Sequence, residues 1–312
     1  MKRDKITIVG AGNVGASAAN WIVSKELGDV VLVDIVKGVP QGKALDLAEA
    51  TPIMGVDAKI TGTNNYEDTK DSDVVVITAG VPRKEGMSRD DLVKVNSKIV
   101  ASVVKEVVKH SPNSILILVS NPLDAMVYTA FKISGFPKER VVGMAGTLDS
   151  TRFRYFVAAE LGVSVNDVEA AVLGGHGDTM IPMERLAKVK GVPLTESLSK
   201  EKLDSIIDRT RKGGGEFLPL LNTSAWVAPG MAICEMVEAI VKDKKKTLPC
   251  AAYLDGEYGV KDLFIGVVAV LGRNGVEEVV ELELNEEEKK QFDETVGHVK
   301  SIISAIDWNE IK

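Results

Sequence analysis

Through the first half of the chain, short and almost wholly apolar runs alternate with longer amphipathic ones. Residues 6–9, 30–33, 73–78, 115–119 and 141–143 form the short runs, and 58–62 is a weaker one. A strand covered on both faces has no reason to alternate apolar with polar positions, so continuous runs of this kind predict a parallel sheet. Between them, residues 14–25 and 42–50 read as helices. Residues 88–110 contain a long one, with Leu92, Val95, Ile99, Val103 and Val107 at helical spacing. A further helix ends where Gly135 and Pro137 break it.

Beyond about residue 145 the pattern changes. Residues 167–174 and 185–189, followed by Gly191-Val192-Pro193, predict antiparallel strands. Residues 203–211 are helical, and Gly213-Gly214-Gly215 is expected to bend one continuous helix. A packed helix over 232–241 precedes strands near 250–253, 265–271 and 276–282. Asn285 is a good N-cap ahead of three glutamates, and Phe292, Val296, Val299, Ile303 and Ile306 form the core stripe of the last helix. The expectation is an α/β domain with a doubly wound parallel sheet over residues 1–145, then an α+β domain over 146–312.

Composition narrows the function more than the fold. A chain of 312 residues can bury a large core, and a net charge of −7 without a basic stripe argues against nucleic acid as a partner. The one basic cluster, Lys242 to Lys246, reads as a solvated helix end. No apolar segment approaches the ~20 residues that span a bilayer. The N-terminus runs almost directly into the first strand, leaving no room for a leader peptide, so the cytosol is the expected compartment. Cys234 and Cys250 have neither metal-ligand nor disulfide spacing, and Cys234 reads as a small buried hydrophobe. No metal is expected.

Chemistry enters at the end of the first strand. Gly10-Ala11-Gly12-Asn13-Val14-Gly15 lies between that strand and a helix, and Asp34 closes the next strand 19 residues beyond Gly15. This is the dinucleotide-binding arrangement in its proper context. Gly10 permits the turn, Gly12 admits a pyrophosphate to the backbone, and Gly15 lets helix and strand approach. Amides at the helix start attract the phosphates. Asp34 accepts the ribose hydroxyls and repels a 2′-phosphate, which favours NAD over NADP.

A second polar stretch spans residues 148–178. Asp149 and Arg152 stand near its start, and Gly174-Gly175-His176-Gly177-Asp178 closes it. A histidine exchanges protons near neutrality, a carboxylate on its far nitrogen fixes its tautomer, and an arginine fork matches a carboxylate. The plainer alternative is an Asp149–Arg152 surface pair at i,i+3. The loop 79–89 carries Arg83 and Arg89 among glycines and a proline, as a lid would, and Asn121-Pro122 follows another strand end. His110 and His298 have no acid or metal-ligand company in the sequence and read as structural or exposed.

Taken in order, Gly10–Gly15, Val81-Pro82-Arg83-Lys84-Glu85-Gly86-Met87-Ser88-Arg89, Val119-Ser120-Asn121-Pro122, Asp149-Ser150-Thr151-Arg152 and Gly174–Asp178 resemble the lactate/malate dehydrogenase family over essentially the whole chain. Within it they are most similar to the lactate-dehydrogenase-like malate enzymes. The resemblance implies a Rossmann dinucleotide domain followed by a substrate domain, NAD as cofactor, and a homo-oligomer, dimer or tetramer. It implies His176 as proton carrier, Asp149 as its orienting partner and Arg152 as the fork for the C1 carboxylate. Arg89 would polarise the carbonyl. Asn121 would touch the substrate oxygen and, with Asn96, Val119 and Ser120, the cofactor. Ser224-Ala225 would form a small-residue wall. Arg83 stands where malate enzymes carry arginine and lactate enzymes usually glutamine, so a small dicarboxylate is the expected substrate. The alternatives are a lactate dehydrogenase, or an NAD-binding protein without turnover.

Overall fold

The computed structural model describes residues 3–82 and 86–311. Arg83 therefore lies outside the described residues. The first half runs β1 (Lys5–Val9), α1 (Asn13–Ser24), β2 (Asp29–Val33), α2 (Val39–Met54), β3 (Ile60–Thr63), β4 (Val74–Ile77), α3 (Arg89–His110), β5 (Ile115–Leu118), α4 (Leu123–Ser134) and β6 (Val141–Gly143). These strands are parallel in the order β3-β2-β1-β4-β5-β6, the order reversing beside β1 as doubly wound nucleotide folds do.

Continuous apolar strands are explained by where each residue points. Val74, Val76, Ile115 and Ile117 join the core on one face of the sheet, which also takes Ala18, Ala19, Ile22 and Val23 of α1. Val75, Ile77, Leu116 and Leu118 join the core on the other, with Val93, Val100 and Val104 of α3. Successive residues thus face opposite helical layers, and both layers are dry. Helix α3 starts where Ser88 accepts the Asp91 N–H and the Asp91 carboxylate accepts the Ser88 N–H, a reciprocal cap that fixes the first turn.

The second half continues through α5 (Gly146–Leu161), β7 (Val168–Glu169), β8 (Val172–Gly174), β9 (Met180–Pro182), β10 (Lys188–Val189), β11 (Val192–Pro193), α6 (Leu194–Ser197), α7 (Lys200–Lys212), α8 (Leu218–Leu221) and α9 (Val227–Val241). It ends with β12 (Lys246–Asp255), β13 (Lys261–Gly272), β14 (Gly275–Val280), α10 (Glu286–Ser304) and α11 (Trp308–Ile311). The long β12–β13 hairpin extends the parallel sheet: β12 meets β6 at Ala251 and Gly143, and β13 carries β8 and β14. Residues 167–174 do not form one strand. β7 pairs with β10 in a small separate sheet and β8 with β13, because Ala170 and Ala171 carry the chain between the two.

The three glycines 213–215 end a helix rather than bend one. α7 stops at Lys212, and α8 and a loop intervene before α9. Asn285 caps α10 as expected, its side chain accepting the Glu288 N–H at 2.8 Å. Ile306 lies past the end of that helix and is buried in the core on the α3 side, whereas Phe292, Val296 and Val299 join the other core. The basic cluster after α9 is folded back on its own acids. Lys244 and Lys242 reach Glu238, as does Lys25, and these contacts hold the Glu238 carboxyl down to about 2. Among the described residues, no helix is long and apolar enough to cross a membrane.

Candidate active site

The ends of β1, β2, β4 and β5 open onto one cleft of about 790 Å³. Its floor is the turn into α1. Gly10 sits at φ +106°, a conformation side chains rarely adopt, and its N–H donates to Val33 O at 2.8 Å. Gly15 is a matter of contact: a Cβ there would lie 1.9 Å from the Gly10 carbonyl oxygen. Gly15→Ala must therefore lift α1 off β1. Overpacking of this kind costs about 1–3 kcal/mol or more, so urea unfolding should show a lower midpoint and nucleotide affinity should fall. An unchanged midpoint would contradict the packing described.

The cleft fits a dinucleotide. Gly12 caps α1 with no side-chain hydrogen bond, a Cβ on it would meet nothing within 4 Å, and the first-turn amides face that space. Gly12, Asn13, Val14 and Gly15 all line the cleft, while Ala11 is buried beneath it. Asp34 stands half-buried at the end of β2. Its oxygens accept the Ala11 N–H at 2.8 Å and the Val36 N–H at 2.9 Å, which ties the glycine turn to the acid and leaves lone pairs for ribose hydroxyls. Ile35, Val36, Asn64 and Tyr66 extend this end of the cleft. Sequence reading missed them because nothing in their types marks a nucleotide wall.

Val119, Ser120 and Asn121 reach the middle of the cleft from the end of β5, and the Asn121–Pro122 peptide is cis. Asn121 is exposed there, and its side-chain amide makes no hydrogen bond among the described residues. Ser120 donates to Ala79 O at 2.5 Å and so anchors the loop after β4. Asn96 is buried and does the same work. Its Oδ1 accepts the Val81 N–H, and its Nδ2 donates to Val81 O and, at 2.6 Å, to Asn121 O. Both donors are thus spent on backbone, so Asn96 shapes the cofactor cleft by holding its loops together.

At the far end stand His176, Asp149 and Arg152. His176 Nδ1 lies 2.8 Å from Asp149 Oδ2, and Arg152 donates to Asp149 Oδ1 at 3.2 Å. Asp149 therefore makes the i,i+3 pair and orients the imidazole at once. Its side chain is 2% exposed, against 18% for His176 and 15% for Arg152. A buried carboxylate on Nδ1 requires the proton there, so Nε2 is the nitrogen left to exchange one. Burial opposes charge on His176, but Asp149, through its charge and its hydrogen bond, more than offsets that and raises the ring above the ordinary histidine value. Gly214, Thr223, Ser224 and Ala225 close this end.

The reading of His110 and His298 as without acid company needs correction, and for His298 it turns on where Arg89 stands. Arg89 is not in the cleft with His176. It begins α3, and its guanidinium rests on His298 Nε2 at 2.6 Å and within 3.7 Å of Asp178 Oδ2. His298 is consequently not without company. Burial first, and then Arg89, push its ring below the ordinary histidine value, and α10 brought it there from 209 residues away. His110 likewise has an acid, Glu106, at 3.6 Å one turn back on α3. Two residues at the proton-exchange end were not foreseen. Thr295 of α10 accepts the Gly175 N–H at 3.0 Å, and Asp124 of α4 accepts the His176 N–H at 3.2 Å. Asp124 follows Asn121 by three residues, yet an acid in a first helical turn is usually explained by the helix end alone.

Known proteins share the sequence and the fold. Residues 4–143 match the family model described as lactate/malate dehydrogenase, NAD binding domain, and residues 146–307 match its alpha/beta C-terminal domain. A malate dehydrogenase of Rhodopirellula baltica is 57% identical over 310 residues, covering 98% of each chain. The crystal structure of malate dehydrogenase from Salinibacter ruber is 52% identical, with a TM-score of 0.93 over 96% of this chain and 97% of that one. A lactate dehydrogenase from Cryptosporidium parvum, solved with lactic acid and nicotinamide adenine dinucleotide, is 42% identical with a TM-score of 0.95, covering 97% and 98%. The fold alone therefore does not separate the two substrate classes.

Proposed function

The chain belongs to the lactate/malate dehydrogenase family, and from that premise we propose that it is an NAD-dependent malate dehydrogenase interconverting (S)-malate and oxaloacetate. The observation that carries the reading is the linked imidazole, carboxylate and guanidinium of His176, Asp149 and Arg152 at the far end of a dinucleotide cleft. The high identity to malate enzymes and the arginine at position 83 support the dicarboxylate. Inside a closed site a second carboxylate pairs with that guanidinium, whereas the methyl of pyruvate leaves it desolvated and unpaired.

Gly10 to Gly15 and Asp34 hold the dinucleotide, with Val119 and Ser120 beside the nicotinamide end. NAD, when bound, supplies the two-electron chemistry by accepting the C2 hydride of malate or returning it to oxaloacetate. Arg152 binds the C1 carboxylate as a fork and Arg83 the C4 carboxylate. Asn121 donates its free amide to the C2 oxygen. Arg89, on leaving His298 and Asp178, brings positive charge to that same oxygen as the carbonyl polarises. Neutral His176 takes the hydroxyl proton on Nε2 during oxidation, and protonated His176 returns it during reduction. Asp149 keeps the ring oriented and stabilises the imidazolium.

The two directions consequently oppose each other in pH. Oxidation needs the neutral ring, so kcat/KM for malate falls as pH drops through the His176 value. Reduction needs the charged ring, so kcat/KM for oxaloacetate falls as pH rises through it. Because Asp149 outweighs burial, the crossing lies above the ordinary histidine value. Rates from pH 6 to 9 in both directions test this, and parallel trends would rule out His176 as the proton carrier. Comparing oxaloacetate with pyruvate under NADH separates the malate reading from a lactate enzyme and from a protein without turnover.

In this reading the enzyme works in the cytoplasm as a homo-oligomer. Its two cysteines are free and buried, and α2 presents Leu45 and Ile53 outward, 61% and 92% exposed, an apolar surface that a second subunit would cover. Sedimentation of the purified protein distinguishes dimer from tetramer.

A further inference from the structure

Asp124 has a surplus that helix capping does not explain. It is the second residue of α4 and is 4% exposed. Oδ2 accepts the His176 N–H at 3.2 Å, while Oδ1 is buried without a hydrogen-bond partner among the described residues. Buried carboxylate oxygens left bare are rare because desolvating them is costly. This one belongs to a carboxylate held against the backbone of the proton-exchanging histidine, whose charge acts on the ring together with that of Asp149.

We propose that Asp124 is a positioning residue for proton exchange at His176: one oxygen fixes the His176 backbone, and the half-satisfied carboxylate places a second negative charge near the imidazole that favours its protonated form. The inference rests on His176 being the proton carrier of the proposed reaction. Backbone N–H groups of His176 and Asp124 stabilise that charge, and the ring is the cation that acts on it. The charged groups acting on Asp124 are His176 and, from α5, Asp149; Arg152 of α5 acts on the ring itself. α3 contributes the neutral Asn96, and α10 contributes the Thr295 hydroxyl on the Gly175 N–H, while its His298 faces Arg89 and Asp178. Burial pushes the Asp124 carboxyl up to about 6, with His176 pulling against it, so the second charge is present in the range where the enzyme would work and is lost in mild acid.

Asp124→Asn separates charge from geometry, because its amide oxygen can still accept the His176 N–H. With NADH bound, the variant should show a His176 titration displaced to lower pH in imidazole NMR, where only three histidines contribute. The pH at which oxaloacetate reduction halves should fall with it. A displacement of about one unit lowers reduction near pH 8 roughly tenfold, with the KM for NADH unchanged. Asp124→Glu should return both midpoints toward wild type. Unmoved midpoints in a folded, active Asp124→Asn enzyme would overturn the proposal and reduce Asp124 to a structural acid. A displaced His176 titration in a protein that turns over no 2-hydroxy acid would leave the Asp124 coupling standing and defeat the enzyme reading instead. If Asp124→Asn fails to fold, the wild-type His176 titration decides. It must carry a second inflection near pH 6 as Asp124 ionises, and a single smooth step would overturn the inference.

Discussion

His176→Asn is expected to lower kcat in both directions by about 10²–10⁴-fold, the usual worth of a positioned acid–base group. In barrier terms that is roughly 3–5 kcal/mol. Asparagine is the informative replacement because its amide can still donate toward Asp149. That carboxylate is 2% exposed and would otherwise keep only Arg152 as a partner, so an alanine would add the cost of a half-orphaned buried charge to the loss of chemistry. In the proposed reading the dinucleotide is held by the turn into α1 and by Asp34, so binding of NADH, followed by its fluorescence, should stay within a fewfold of wild type. Pre-steady-state rates of NADH formation from malate measure the chemical step directly. A variant retaining a tenth or more of wild-type kcat in either direction would remove His176 from the proton path.

Arg83→Gln should collapse the preference for oxaloacetate over pyruvate, by up to about 10⁴-fold in the ratio of kcat/KM values. That is the scale on which a site built around one polar partner rejects a substrate lacking it. Both terms of the ratio should move. Oxaloacetate loses the charge-assisted pair on its C4 carboxylate, and pyruvate no longer leaves a guanidinium buried and unpaired. The effect should appear in kcat as well as KM, since interactions that pull the substrate into register also lower the barrier. NADH affinity should not change. Parallel assays of the two oxoacids on wild type and variant decide it. If the ratio holds within threefold, the residue at 83 does not choose the substrate, and Arg152 and Arg89 would have to account for the discrimination between them.

Much of the site was legible because its parts are local. Gly10, Gly12 and Gly15 with Asp34 form a strand–turn–helix–strand unit whose spacing alone dictates a turn, a close approach and an acid at the edge of the cleft. Asp149 and Arg152 are one turn apart on α5. The apolar strands announced a parallel sheet with covered faces, and the structure places alternate residues of β4 and β5 in opposite cores. What failed was of another kind. Residues 167–174 contain one apolar pattern yet serve two sheets. His298 reads as solitary because its company, Arg89 and Asp178, is far away in sequence. Nothing in the sequence separates Asp124 from an ordinary first-turn acid.

The division has a physical origin. Residue type and spacing within about one helix or strand fix local backbone choice, which side of an element is apolar, and any site whose groups share a turn. The sequence by itself therefore determined the nucleotide cleft, the α/β sheet and, through the resemblance it carries, the histidine and acid proposed as the proton-exchanging pair. Meetings across 52, 120 and 209 residues, namely Asp124 with His176, Thr295 with Gly175 and His298 with Arg89, leave no periodicity to read. They exist only because α4, α10 and the turn after β8 converge at one end of the sheet, and burial there gives ordinary polar side chains their charge state and their partners.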